Sequence, residues 1–259
     1  MSVKNNSGYR TSKVKPLPSS KVALVTGGSA RVGATIVKNL HSHGYDVGLH
    51  YFHSESNANL LVAELNEKRP DSAFALKQDL TEKDAATKMR KQFLEKRKRI
   101  DLLVNNASIF RKTQTKCPSS TEWEDFFSIN SRTPWMLALC FAPLLRKHRG
   151  AIINITDIHA KSPRKDYSLY CISKATLDAI TRALALELAP EIRVNGIAPG
   201  AILWAASESQ KVREQALAST PLQRKGEPVD IAEGVIYLAS AKYVSGQILN
   251  IDGGRSLAY

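Results

Sequence analysis

Tyr170-Cys171-Ile172-Ser173-Lys174 sets a phenol and an ammonium four residues apart, on one face of a helix. A cation beside a phenol favours the phenolate and draws its pKa down from about 10. Such a pair shuttles a proton near neutral pH. Thirteen residues before Tyr170, Asp157 follows Thr156 at the end of an apolar run, where parallel sheets place reacting groups. Asp157 reads either as a turn cap or as a second proton-handling group, and its spacing from Tyr170 favours the second. Nearer the N-terminus, Thr26-Gly27-Gly28-Ser29-Ala30-Arg31-Val32-Gly33 joins a β-branched run to a helical one. Glycine there lets backbone approach a pyrophosphate, which the helix N-terminus then stabilises. Arg31 stands where a small residue is expected, and a guanidinium beside a phosphate site suits an anion or a polar heterocycle.

A dinucleotide fold selective for NAD carries Asp or Glu about 20 residues further on, to accept from the ribose 2′-hydroxyl. This chain has Leu49-His50-Tyr51-Phe52-His53-Ser54 there, with no acid before Glu55. Histidine and serine can donate to a 2′-phosphate that a carboxylate would repel, so the expected cofactor is NADPH/NADP. A phosphate contact through His53 would be pH-sensitive.

These groups need a scaffold, and the hydrophobic pattern supplies one. Strands are expected at 22–26, 46–51, 73–78, 101–106, 151–156, 192–198 and 247–252. Helices are expected at 31–43, 57–67, from Thr81 through a basic stretch, at 123–147 with an interruption near Pro134, and at 170–188. Continuous apolar strands alternating with helices imply a parallel sheet covered on both faces. The fold class is therefore α/β, a Rossmann-type doubly wound seven-stranded parallel sheet in a single domain over 21–259. Residues 1–20 are polar, basic and aperiodic, and read as a disordered arm.

The 259 residues carry a formal net charge of +13, which raises a nucleic-acid reading. The charge is concentrated in two places. Residues 1–20 hold Lys4, Arg10, Lys13 and Lys15 without an acid, and Lys88–Arg99 holds seven bases against Glu95. In the second cluster Ala85, Met89 and Phe93 form a buried stripe, leaving the bases on the outer face. No aromatic residues interleave with them, so a solvated helix face is preferred to a nucleic-acid surface. Cys117, Cys140 and Cys171 are odd in number and widely spaced, which excludes a disulfide framework and a paired-cysteine metal site. No metal is expected, and a reducing, cytoplasmic setting is. No apolar run approaches a membrane span, and the basic N-terminus, which lacks an apolar stretch, is not expected to be a secretory signal.

Together these motifs resemble the short-chain dehydrogenase/reductase family over essentially all of 21–259. Asp79-Leu80, Asn105-Asn106-Ala107, Asn130, Pro199-Gly200 and Asp252-Gly253-Gly254 extend the match. The resemblance implies that Gly27, Ser29, Arg31, Val32, His50, Tyr51, His53 and Ser54 bind the cofactor. It further implies that Asp79 and Leu80 flank the adenine, and that Asn106, Ala107, Ser108, Thr156, Pro199 and Gly200 line the rest of its channel. Asn130 would help hold a proton-relay water. Lys174 would bind the nicotinamide ribose, and Tyr170 would donate the proton opposite the hydride.

Most of the family carries serine where this chain has Asp157. With Arg31, His50-Tyr51, Ser108-Ile109-Phe110 and Tyr167, the combination looks like the pteridine reductase branch. That branch implies a pterin or folate-like substrate stacked between Phe110 and the nicotinamide, with Arg31 and Tyr170 at its polar edge. Phe110 reads as core packing or as this stacking surface, and its place after the cofactor loop favours the second. Asp157 can bond the aminopyrimidine edge of a pterin more strongly than a serine hydroxyl does. Trp204 would cover the pterin side chain, or serve a lid or a subunit interface. Cys171 reads as a small buried residue rather than a nucleophile. A homotetramer through the helices at 121–147 and 170–188 is implied as well. Competing readings are a carbonyl or 3-oxoacyl-thioester reductase and a non-catalytic NADPH-binding regulator.

Overall fold

The computed structural model describes residues 20–113, 119–204 and 209–258. Apart from Ser20, the arm expected over 1–20 lies outside the described residues, as does Cys117. Seven parallel strands form one sheet in the order β3-β2-β1-β4-β5-β6-β7. They are β1 (Val22–Val25), β2 (Asp46–Tyr51), β3 (Ala73–Lys77), β4 (Leu102–Asn105), β5 (Ala151–Ile155), β6 (Arg193–Pro199) and β7 (Ile248–Ile251). The chain winds outward from β1 to β3, then crosses back to lay β4 on the other side of β1. The carboxyl ends of β1 and β4 therefore part at the point where winding reverses, which opens a crevice.

On one face lie α1 (Arg31–Ser42), α2 (Glu55–Lys68) and α8 (Pro228–Ser240). The other face carries α3 (Ala85–Lys96), α5 (Thr133–Arg146) and α6 (Ser168–Glu187), and α4 (Ser120–Phe127) packs on the start of α6 through Phe126. Ile36, Val37 and Leu40 bury the first layer, and Phe93, Phe141 and Leu145 the second. Phe93 meets Phe141 edge-on at 5.3 Å between ring centroids. Helix α7 (Gln210–Ala218) stands off the sheet beyond β6.

The structure moves several expected boundaries. The basic helix begins at Ala85 rather than Thr81, because Asp79 Oδ1 accepts from the Thr81 N–H at 2.8 Å and holds the chain in a turn. The interruption expected near Pro134 is a π-turn over Ser128–Arg132 that joins α4 to α5. Pro134 lacks an N–H, so the helix restarts around it in the first turn of α5. The basic cluster is also less free than an outer helix face implies. Lys88 pairs with Glu82 at 2.6 Å, Arg97 with Asp46 at 3.5 Å, and Arg99 with Asp101 at 2.8 Å.

Candidate active site

A cleft of about 1600 Å³ runs along the carboxyl ends of the strands. Every residue expected to bind cofactor or substrate lines it, from Gly27 at one end to Trp204 at the other; of the expected catalytic residues only Asn130 does not. A second cavity of about 460 Å³, under Pro221 and Gly253, holds none of them.

The glycine loop is braced from three sides. Asn106 Nδ2 donates to the Thr26 carbonyl at 2.8 Å and to the Gly27 carbonyl at 3.1 Å. Thr26 Oγ1 accepts from the Asn106 and Ala107 N–H groups at 2.9 and 3.0 Å. Gly33 has no freedom to be anything else, since a Cβ there would lie 2.1 Å from the Gly27 oxygen. Arg31 takes the opposite course, adopting φ 53° without being glycine. A left-handed non-glycine residue costs about 1–2 kcal/mol, and such strain concentrates at functional sites. Helix α1 starts at this residue with Ala30 as its cap, which offers no side-chain acceptor, and no acid lies in its first turn. Its first N–H groups are thus left for an anion at the cleft, which fits the pyrophosphate of a dinucleotide.

His50 is placed differently from the expectation that it donates to a phosphate. Its Nδ1 accepts from the Gly27 N–H at 3.1 Å, and its Nε2 faces the Gln78 carbonyl at 2.8 Å. Both nitrogens are consumed, and burial pushes its pKa down to about 4. His50 is a neutral strut under the loop, while His53 and Ser54 line the cleft just beyond the end of β2. Asn130 is buried outside the lining of the cleft. Its Oδ1 accepts from the Ile109 N–H at 2.9 Å, and its Nδ2 donates to Ser173 Oγ at 3.0 Å. The side chain ties the Ser108–Phe110 segment to α6.

At the centre, Tyr170 donates its hydroxyl to Asp157 Oδ2 at 2.5 Å. Asp157 Oδ1 accepts from the His159 N–H at 2.8 Å, so Asp157 both caps its turn and holds the phenol. Lys174 donates to the Ile155 carbonyl at 2.8 Å, with its nitrogen 5.9 Å from the Tyr170 ring centroid. The expected lowering of the phenol's pKa is reversed. Burial, reinforced by the Asp157 carboxylate, raises Tyr170 well above 10, and the Arg164 guanidinium offsets it only in part. Burial also lowers Lys174 to about 8. Tyr170 is thus kept as a proton-bearing phenol. The Cys171 thiol is buried and its pKa raised, which suits packing and not nucleophilic attack.

Phe110 is 39% exposed in the cleft. It stacks on Tyr167 at 4.7 Å and 17°, and meets Tyr170 edge-on at 4.8 Å. The Arg164 guanidinium lies 4.6 Å from the Tyr167 ring centroid. Arg164 and Arg255 are cleft residues that the sequence reading missed. The available signals were a cation three residues before Tyr167 and another directly after Asp252-Gly253-Gly254.

Residues 28–256 match a family model described as enoyl-(acyl carrier protein) reductase. The chain is 34% identical over 241 residues to the 3-oxoacyl-(acyl-carrier-protein) reductase FabG of Staphylococcus aureus, covering 91% of this chain and 98% of the relative. It is 33% identical over 282 residues to pteridine reductase 1 of Leishmania tarentolae, covering 93% and 98%. A granaticin polyketide synthase putative ketoacyl reductase of Streptomyces violaceoruber is 32% identical over 248 residues, with 93% and 98% covered.

Proposed function

The chain belongs to the short-chain dehydrogenase/reductase family of oxidoreductases, which use NAD(P)H, and on that premise we propose that it is an NADPH-dependent pteridine reductase. The substrate is a dihydropterin or folate-like pterin, reduced at its C=N bond to the tetrahydro form. Overall identity separates ketoacyl from pteridine reductases by only a percentage point, so the reading rests on the site. The observation that carries it is Asp157 bonded to Tyr170 at 2.5 Å beside an exposed aromatic face. A serine hydroxyl in that position donates to a substrate carbonyl. A carboxylate accepts instead, and so matches the N–H groups of an aminopyrimidine.

When bound, the nicotinamide supplies the hydride. The chain's own residues do the rest. Phe110, backed by Tyr167, offers a flat face for a heteroaromatic ring at low entropic cost. Asp157 orients the ring through its amino edge and holds the Tyr170 proton in line. Tyr170 passes that proton to the ring nitrogen as the adjacent carbon gains hydride, so the C=N bond becomes C–H and N–H. Lys174, held by the Ile155 carbonyl at 2.8 Å one helical turn from Tyr170, would bind the ribose hydroxyls. Arg31 meets the pyrophosphate or the pterin's polar edge, and the lack of an acid after β2 favours NADPH over NADH.

Trp123, Trp135, Ile172 and Leu186 are exposed on α4, α5 and α6, the helices expected to pair in a homotetramer. No described helix is long and apolar enough to cross a membrane, and cytoplasmic residence belongs to the proposal. So does the absence of a nucleic-acid role, which the ion pairs around 88–101 support.

The test is NADPH oxidation with dihydrobiopterin, dihydrofolate and a β-ketoacyl thioester, for the natural chain and Asp157→Ser. Pterin turnover is expected, falling about a hundredfold in kcat/KM in Asp157→Ser. Preference for the thioester, or an Asp157→Ser enzyme that still reduces pterins, would refute the reading.

A further inference from the structure

The order of strands also orders the cleft. The phosphate loop lies over β1 and β2, Asp157 follows β5, and Arg255 follows β7. From β5 to β7 is two strand spacings, about 10 Å along the sheet edge. Arg255 lines the same cleft as Phe110 and Tyr170, and the wall of that cleft also carries Trp204, Gln215 and Ser219. These are flat or uncharged groups.

Among the described residues the Arg255 side chain has no hydrogen bond or ion pair, and its Nε is buried without an acceptor. The carboxylate nearest in sequence is turned away from it. Asp252 accepts from the Gly254 N–H at 2.9 Å through Oδ1 and from the Ser256 N–H at 2.8 Å through Oδ2. A partly desolvated guanidinium without an acceptor is costly to keep, and its planar fork matches a carboxylate.

We propose that Arg255 binds a carboxylate on the tail of the substrate, toward the β7 end of the cleft from the ring that is reduced. The inference rests on the pterin reading and narrows it. The fitting substrate is a pterin carrying an extended acidic side chain, with Trp204 along the spacer.

The test compares dihydrofolate, which bears carboxylates, with 6-methyl-dihydropterin, which bears none, in the natural chain, Arg255→Gln and Arg255→Lys. In Arg255→Gln the KM for dihydrofolate rises about tenfold more than that for the methylpterin, the worth of one charge-assisted bond. Arg255→Lys restores part of the difference and shows that the fold tolerates change there. Equal effects on both substrates, or none, overturn this inference alone. A natural chain that reduces neither pterin overturns the pterin reading and this inference with it.

Discussion

At the β1–β2 end of the cleft, polar side chains are bonded back into the protein: His50 to Gly27 and Gln78, Asn106 to Thr26 and Gly27, and Asp79 to Thr81. At the β5–β7 end the arrangement is reversed. Phe110 is exposed, Arg255 has no acceptor among the described residues, and Asp157 and Tyr170 bond chiefly to one another. The first region spends its side chains on shaping backbone, as the proposed phosphate loop requires. The second leaves side chains to meet a substrate. A family can therefore keep the first region while the second changes chemistry, which is why similar identity to ketoacyl and pteridine reductases is compatible with one specific substrate.

The sharpest way to break this contrast is Tyr170→Phe. With the proton donor gone, kcat falls about a thousandfold, while the NADPH dissociation constant stays within about twofold. Single-turnover kinetics and a fluorescence titration read the two separately, and a parallel loss of affinity would show that the regions are not independent.

Acid tests the closed region. His50 has a pKa of about 4 in the fold against 6.5 unexposed to it. The unfolded chain therefore takes up the proton first as pH falls. Stability is fully present above 6.5, is lost between 6.5 and about 4, and falls no further on this account below that; the loss is about 3 kcal/mol. Urea denaturation across that range checks it, and His50→Gln, which does not titrate, should flatten that part of the profile.

The smallest effect joins the two regions. Arg31→Gly relieves the residue at φ 53° and should add about 1 kcal/mol of stability while raising the pterin KM. If stability rises and KM is unmoved, the strain serves the loop and not the substrate.

Much of this was legible in the sequence because it is local. Continuous runs such as Val22–Val25 and Ala151–Ile155 announce buried parallel strands. The glycine turn, Tyr170, Lys174 and Asp157 carry fixed spacings. Helix α8 was legible in principle yet passed over, since Glu227-Pro228 opens it with a capping box in which Asp230 accepts from the Glu227 N–H at 2.6 Å. What spacing cannot express is environment. The rise of Tyr170, the double engagement of His50 and the left-handed turn at Arg31 arise only once distant strands have closed around them.

Helix α1, which carries the phosphate loop, packs chiefly on α8 across nearly two hundred residues of chain. During synthesis, β1 and the loop emerge well before α8, the surface that holds α1 in place. The phosphate loop is thus set by one segment of the chain and held in place by another far from it in sequence. Any shortening that removes Pro228–Ser240 would disable nucleotide binding without touching a single residue that faces the nucleotide.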